Sequence, residues 1–298
     1  MNILTERELP LVSILITSYN RANFIEEAIK SALNQTYKRI EIIIVDNCST
    51  DYTREILNKY EPNSTISIYF NETNIGQFPN RNKAASLANG KYLKYLDSDD
   101  LLYPYSVEIM VMAMEKFPES GIGISYEVFQ NHLPFPFELK PDEALNLHFE
   151  KGLLFPGPGS IIYKSNIFEE FEGFEDYGLP SDNLLSLKIA SRYKVVALPR
   201  DLYWWRRHEE QEYNNMAGNP VVQIQSFLMN KKILESPDCP ISFANKRYFL
   251  LCHRKRISTK IIKYMLKAEF KKSLYILLYS KISFRDIALA FIPVKYFK

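Results

Sequence analysis

Two hydrophobic periods alternate along the first 130 residues. Leu11-Val-Ser-Ile-Leu-Ile-Thr17 is β-branched and almost wholly apolar, as strands buried on both faces are. Residues 22–33 then place Phe24, Ile25, Ala28, Ile29 and Ala32 at helical spacing. Strand-type runs return at 41–46, 66–70, 91–96 and 122–130. Helical patterns fill 51–60, capped by Ser49 or Thr50, then 77–88, closed by Gly90, and 103–117. This order predicts an α/β fold: a mainly parallel sheet with helices on both faces. After Gln130 the pattern breaks. Residues 131–160 are rich in Pro, Phe and Gly and read as a loop-dominated cleft wall with a short helix at 142–149. Strands are expected at 160–163, 195–197 and 202–205, and a helix at 183–191. From Val221 onward helices dominate, so the chain divides into residues 1–130, 131–220 and a helical extension over 221–298.

Composition changes this picture only in places. The chain is 46% hydrophobic and 24% charged, which is ordinary for a globular protein. Cys48, Cys239 and Cys252 are too far apart for a zinc site or a disulfide framework, which fits a reducing compartment. Met-Asn-Ile-Leu-Thr-Glu-Arg-Glu-Leu-Pro does not read as a signal peptide, and no apolar run reaches the ~20 residues of a spanning helix. A cytoplasmic location is expected, with the sequons at Asn34, Asn47, Asn63 and Asn71 unused. The net charge of +2 hides an asymmetry: residues 246–298 hold 14 Lys and Arg against 2 acids, a balance of +12, and the rest carries −10.

One absence narrows the chemistry. The first glycine is Gly76, so the turn Thr17-Ser-Tyr-Asn-Arg21 after the first strand has none. Dinucleotide-binding and P-loop folds need glycines there to bring backbone to phosphate. Any nucleotide must therefore be held by side chains and a metal. Leu96-Asp97-Ser98-Asp99-Asp100 ends a predicted strand, where open α/β sheets bind ligands. Its crowded carboxylates call for a hard cation such as magnesium or manganese, although Asp and Ser also cap helices and Leu101-Leu-Tyr-Pro104 could open one.

Five further strings accompany that cluster in a fixed order: Val12-Ser-Ile-Leu-Ile-Thr-Ser-Tyr-Asn-Arg21, Ser31-Ala-Leu-Asn-Gln-Thr-Tyr37, Glu41-Ile-Ile-Ile-Val-Asp-Asn-Cys-Ser-Thr-Asp51, Asn74-Ile-Gly76 with Arg81-Asn82, and Ala88-Asn-Gly-Lys-Tyr92. Together they resemble the family 2 glycosyltransferases, inverting enzymes of the GT-A fold that use nucleotide-sugar donors. The resemblance covers residues 9–130 and implies a role for each matching position. Thr17 and Tyr19 would hold the base, Tyr19 by stacking, with Arg21 following them. Asp46 or Asn47 would meet the base edge, with Asp51 capping the next helix beside the same pocket, and Arg81 would face ribose or phosphate. Asp97 would contact ribose or a metal-bound water. Asp99 would ligate Mn2+ or Mg2+ through the diphosphate. Turn and cap chemistry alone would explain Thr17, Asp46 and Asp51 singly. Many relatives carry two acids where this chain has Asp46-Asn47, which leaves UDP the first choice of nucleotide and a thymidine nucleotide the second.

The resemblance also implies a carboxylate general base at the start of an acceptor-side helix. Gly178-Leu-Pro-Ser-Asp-Asn183 matches, so Asp182 is the expected base, with N-capping its simpler role and Glu175 and Asp176 in reserve. In Trp204-Trp-Arg-Arg-His208, Arg207 and His208 would meet phosphate oxygens and a tryptophan would stack on a sugar. Lys260-Ile-Ile-Lys-Tyr-Met-Leu-Lys-Ala-Glu-Phe-Lys-Lys272 is basic and amphipathic, which suits an anionic membrane surface; a lipid-linked acceptor would give that location a purpose, and no nucleic-acid motif accompanies the charge. The expected activity is transfer of a sugar from a UDP-sugar to a glycan or lipid-linked acceptor in bacterial surface polysaccharide synthesis, at the inner face of the plasma membrane. The competing readings are a metal-dependent nucleotidyltransferase and a non-catalytic nucleotide-sugar-binding protein.

Overall fold

The computed structural model describes residues 9–125, 134–178, 180–209, 211 and 218–297. Its first half alternates β1 (Val12–Ser18), α1 (Ile25–Leu33), β2 (Ile40–Asp46), α2 (Thr53–Asn58), β3 (Ile66–Phe70), α3 (Gln77–Ser86) and β4 (Tyr92–Asp97). A short β5 (Leu101–Leu102) precedes α4 (Ser106–Lys116) and β6 (Ser120–Ser125). Then come β7 (Phe137–Leu139), α5 (Pro141–Lys151), β8 (Ile161–Lys164), α6 (Ser165–Glu170), α7 (Ser181–Arg192), β9 (Lys194–Leu198) and β10 (Tyr203–Trp204). The tail consists of α8 (Pro220–Glu235), α9 (Phe243–Leu266), α10 (Phe270–Tyr279) and α11 (Phe284–Ile287), followed by short 3-10 turns.

Eight strands form one sheet in the order β3-β2-β1-β4-β8-β6-β9-β7. β1 to β4 are mutually parallel where they pair, and β6 pairs parallel with β9. β8 runs antiparallel between β4 and β6 and joins the two parallel blocks, so the sheet is continuous across residue 130. β5 and β10 pair in a separate antiparallel ribbon.

The apolar runs hide a period of two. Val12, Ile14, Ile16, Ile42 and Ile44 face α1, α2 and α4, whereas Leu15, Ile43, Val45, Leu93 and Tyr95 face α3, α5 and α7. With both faces covered, nearly every strand position is apolar. Met229, Ile233 and Phe249 bring α8 and α9 onto the second of these cores. A smaller cluster of Ile224, Phe227, Ile257, Ile261, Ile276 and Ile282 holds the tail helices together.

Three departures from the sequence expectation have local causes. The described part of 131–160 is not mainly loop: it holds β7 and the eleven-residue α5, whose Pro141 and Gly152 (φ +83°) mark its ends. β5, β7 and α6 are too short to show a period. The basic stretch 260–272 is not one helix, because α9 stops at Leu266 and Ala268 adopts φ +57° before α10 begins. Residues 126–130 of the strand expected at 122–130 lie outside the described residues.

The β1–β4 junction depends on a close approach. Gly90 N donates to Ser13 Oγ at 2.9 Å, and Ser13 Oγ donates to Glu41 at 2.6 Å. A Cβ on Gly90 would stand 2.6 Å from the Ser13 backbone nitrogen. Gly90→Ala is therefore expected to lower unfolding stability by about 1–3 kcal/mol, read as an earlier midpoint in urea with an unchanged slope.

Candidate functional site

Strand register sets the site. Thr17 lies opposite both Val45 and Asp97, and Ser18 opposite Asp46. Thr17, Asp46 and Asp97 thus end three neighbouring parallel strands on one edge, where the sheet leaves a crevice.

On the β1–β2 side the polar groups mostly build loops. Asp46, buried, accepts from Ser49 N at 2.9 Å and Ser49 Oγ at 2.5 Å. Asp51 accepts from Ala22 N and Thr53 N, both at 3.0 Å, and so ties the first loop to α2. Asn47 donates to Asn74 Oδ1 at 2.8 Å and Gly76 O at 3.2 Å, and accepts from Asn71 Nδ2 at 2.9 Å and Ile75 N at 3.0 Å. Its amide is spent on loop 71–76, which leaves no hydrogen-bonding group for a base edge in this arrangement. Tyr19 is 43% exposed beside these loops and offers an open ring face.

The carboxylates ending β4 are met by the protein's own cations. Arg81, buried on α3, donates to Asp97 Oδ1 at 2.6 Å. Burial would lower its pKa, but Asp97 and then Asp182 more than offset that, so Arg81 stays charged. It is turned to carboxylates rather than to open space. Arg21 Nε stands 3.3 Å from Asp99 Oδ2, and His208 Nε2 lies 3.0 Å from the same oxygen. Asp100 accepts from Arg206 N at 3.0 Å, and its pKa is pushed up to about 8, first by burial and then by the Asp97 charge.

Asp182 sits in the first turn of α7, one residue past Ser181. No side chain caps α7, whose N-cap position is Pro180; Ser181's hydroxyl instead ties the preceding loop, accepting from Tyr177 N at 3.0 Å and donating to Gly178 O at 2.5 Å. Asp182 Oδ1 accepts from Asn183 N at 2.8 Å. Burial raises its pKa to about 6 against the pull of Arg81. A Cβ on Gly157 would lie 3.6 Å from Asp182 Oδ2, so the Gly157 backbone borders the carboxylate. Glu175, by contrast, is exposed and pairs with Lys188 at 2.6 Å; Asp176 is also exposed.

The segment after β10 splits its roles. His208 packs on Phe24 with ring centroids 4.5 Å apart and turns to Asp99. Arg207 is exposed and lies over the Trp205 ring at 5.3 Å. Sequence reasoning passed over its neighbour Arg206, which donates to Asp99 O at 2.9 Å, pairs with Glu27 at 2.5 Å and lies over Phe24 and Trp204. It also passed over Lys94, fully buried in β4, whose Nζ donates to Tyr95 O at 2.8 Å and to Gly159 O. Burial pushes Lys94 down to about 7 despite Asp97 and Asp100. The signal was a lone lysine inside an apolar strand. Asn82 clasps Phe174, donating to its carbonyl and accepting from its N–H at 2.8 and 2.9 Å.

Could these residues hold a divalent ion? Among the described residues no three His, Cys, Asp or Glu side chains converge. Asp99 Oδ2 and His208 Nε2 form a two-donor set. That suffices for an ion taking its other ligands from a diphosphate and water, as magnesium-type sites do. The residues fit a site completed by substrate, not an all-protein cage.

The sequence model described as Glycosyl transferase family 2 matches residues 13–176. Over 92 residues the chain is 47% identical to the putative teichuronic acid biosynthesis glycosyltransferase TuaG of Bacillus subtilis, a stretch covering 30% of this chain and 36% of that relative. The chain thus spans about a third of TuaG's length. Its fold matches the crystal structure of S. aureus TarS 1-349 in complex with UDP-GlcNAc at a TM-score of 0.67 and 20% identity, covering 93% of this chain and 83% of the other. It also matches the mannosyltransferase PcManGT from Pyrobaculum calidifontis in complex with GDP-Man and Mn2+ at 0.62 and 18%, covering 96% and 79%. The fold is GT-A with a helical C-terminal part. With the family match covering more than half its length, the chain belongs to glycosyl transferase family 2.

Proposed function

We propose that the chain is an inverting glycosyltransferase that moves a sugar from a nucleotide diphosphate donor, a UDP-sugar by first choice, to a glycan or lipid-linked acceptor in bacterial surface polysaccharide synthesis. The observation that carries this is a group of acids and cations at the end of β4 that extends electrostatically to Asp182. Arg81 interacts with both Asp97 and Asp182, while Asp99, Arg21 and His208 gather beside them.

Asp182 takes the proton of the acceptor hydroxyl as that oxygen attacks the anomeric carbon, opposite the departing diphosphate. Its burial suits this work, because a carboxylate of raised pKa is a better base. Arg81 holds Asp182 and Asp97 in place and keeps their charges from driving them apart. Arg21 and Arg207 are the cations available to phosphate oxygens. Tyr19 stacks on the base, with Thr17 and Asp46 shaping the floor. Asp99, with His208, would hold Mn2+ or Mg2+, which when bound neutralises charge on the leaving diphosphate. Support for the donor class comes from TarS and PcManGT, which carry UDP-GlcNAc and GDP-Man in their structures. The name of TuaG supports a polysaccharide product.

The tail supports contact with a membrane surface from the cytoplasmic side. Among the described residues no helix is long and apolar enough to cross a membrane. Instead Leu266, Phe270 and Leu278 present apolar side chains to solvent, at 82%, 62% and 64% exposed. Phe270, Leu274 and Leu278 repeat every four residues along one flank of α10, beside Lys267, Lys271 and Lys272. An outward apolar stripe bordered by lysines suits an anionic interface, where each basic residue contributes about 1 kcal/mol.

Two outcomes are expected. Asp182→Asn should lower kcat by about 10²–10⁴-fold while UDP affinity stays within twofold, because the base acts only in the transition state. In the unchanged chain, the working form of Asp182 is deprotonated, so kcat/KM should rise with pH through about 6 and level off above it. For the tail, sedimentation with vesicles containing phosphatidylglycerol should exceed that with phosphatidylcholine alone, and Phe270→Glu with Leu274→Glu should abolish it without changing kcat on a soluble acceptor.

A further inference from the structure

Lys94 stands where the core calls for an apolar residue. It sits in the middle of β4, between Ile14 of β1 and Ile162 of β8, and all three are fully buried. It shares the strand face of Tyr92 and Leu96, which belong to the core that faces α1, α2 and α4. Burying an amine there costs far more than burying an apolar chain of the same length, unless the amine is hydrogen-bonded. Among the described residues no carboxylate pairs with its Nζ. The amine instead holds two backbone carbonyls. One is Tyr95 O, at 2.8 Å on its own strand; the other is Gly159 O, in a distant part of the chain.

The segment it reaches, Phe155-Pro-Gly-Pro-Gly159, has little to hold itself in place. Pro156 and Pro158 have no N–H to donate. Phe155 N bonds to Gly152 O, and Ser160 N to Gly157 O, each at 3.0 Å. Two side chains grip the segment from outside. Asn183, on α7, donates to Leu154 O at 2.8 Å and to Phe155 O at 3.0 Å. Lys94, on β4, holds the other end at Gly159. Tyr203 backs that end, since a Cβ on Gly159 would approach its ring to 3.3 Å. Between the two grips the Gly157 backbone borders the Asp182 carboxylate. We propose that Lys94 is a positioning residue for Asp182: by holding Gly159 it fixes the segment whose backbone lies against the base. This rests on the glycosyltransfer reading, in which that carboxylate takes the acceptor proton, and adds a residue that acts through the segment without touching the reacting atoms.

The test titrates the full chain by NMR, with its aspartates labelled with carbon-13 at the side-chain carboxyl and Asp182→Asn identifying the signal. Lys94→Met removes the grip and keeps an apolar chain of similar length. Asp182 is then expected to titrate lower than its value of about 6, by about one pH unit or more, because a freed segment lets water reach the carboxylate. Loss of a positive charge alone would move it the other way. Hydrogen exchange at the Phe155 and Ser160 amides is expected to speed up by about tenfold or more, while amides of β1 and β2 exchange as slowly as before. Lys94→Gln, uncharged and one atom shorter, carries the same expectations should Lys94→Met fail to fold. An Asp182 that titrates unchanged or higher, or exchange at Phe155 and Ser160 that ignores the substitution, would overturn the proposal. Calorimetric titration of the unchanged chain with UDP reports separately on the donor reading: if UDP does not bind while the substitution still frees the segment and lowers Asp182, the glycosyltransfer reading falls and the positioning role stands.

Discussion

Like charges gathered at the end of one strand have to be balanced, and this fold recruits its balancing cations from every segment that borders the site. Asp97, Asp99 and Asp100 end β4 within four residues of one another. Arg81 comes from α3 and Arg21 from the loop after β1, while the segment after β10 brings the His208 ring to Asp99 and the Arg206 backbone N–H to Asp100. A carboxylate in a poorly solvated crevice stays ionised when an opposite charge stands within a few ångströms. Asp100, buried and accepting a backbone N–H from Arg206, is pushed up to about 8, first by burial and then by Asp97. Asp97 and Asp99 thus meet side-chain partners, whereas Asp100 lies buried among neighbouring negative charge.

The same contacts assemble the fold around the chemistry. Arg206 binds Asp99 and Asp100 from more than a hundred residues away and brings His208 with it. Lys94 reaches from β4 to the Gly159 carbonyl, beside the loop that borders Asp182. Asn82 clasps Phe174, and its neighbour Arg81 joins Asp97 to Asp182 electrostatically. Segments from before and after residue 130 thus share one hydrogen-bonded frame, which suits the proposed reaction, whose base and leaving group must be fixed relative to each other.

Much of this was legible in residues whose pattern is periodic. The β1, β2, β3 and β4 runs, and the helices between them, follow from apolar spacing because a sheet covered on both faces leaves few other solutions. Asp99 stood out through the order of the motifs over residues 9–130, whereas Asp182 and His208 each rested on a single local stretch. Arg206 was not, because a single arginine gives no period and its partner depends on tertiary approach; Lys94 was marked as a lysine inside an apolar strand, but its carbonyl partners were not. The same holds for Asn47: its residue type suggested a base contact, but four hydrogen bonds to residues 71–76 decide its role. Crowded acids suggested a metal as their counterion; the chain supplies guanidinium and imidazole first, leaving Asp99 and His208 as the donors an ion would share with a diphosphate.

That sharing is the centre of the account, and calorimetric titration of UDP with and without Mn2+, for the unchanged chain and for Asp99→Asn, tests it most directly. The account predicts that Mn2+ tightens UDP binding by about tenfold or more, and that Asp99→Asn erases the gain while leaving the fold intact. UDP binding that ignores both the ion and the substitution, or no UDP binding at all, would contradict it.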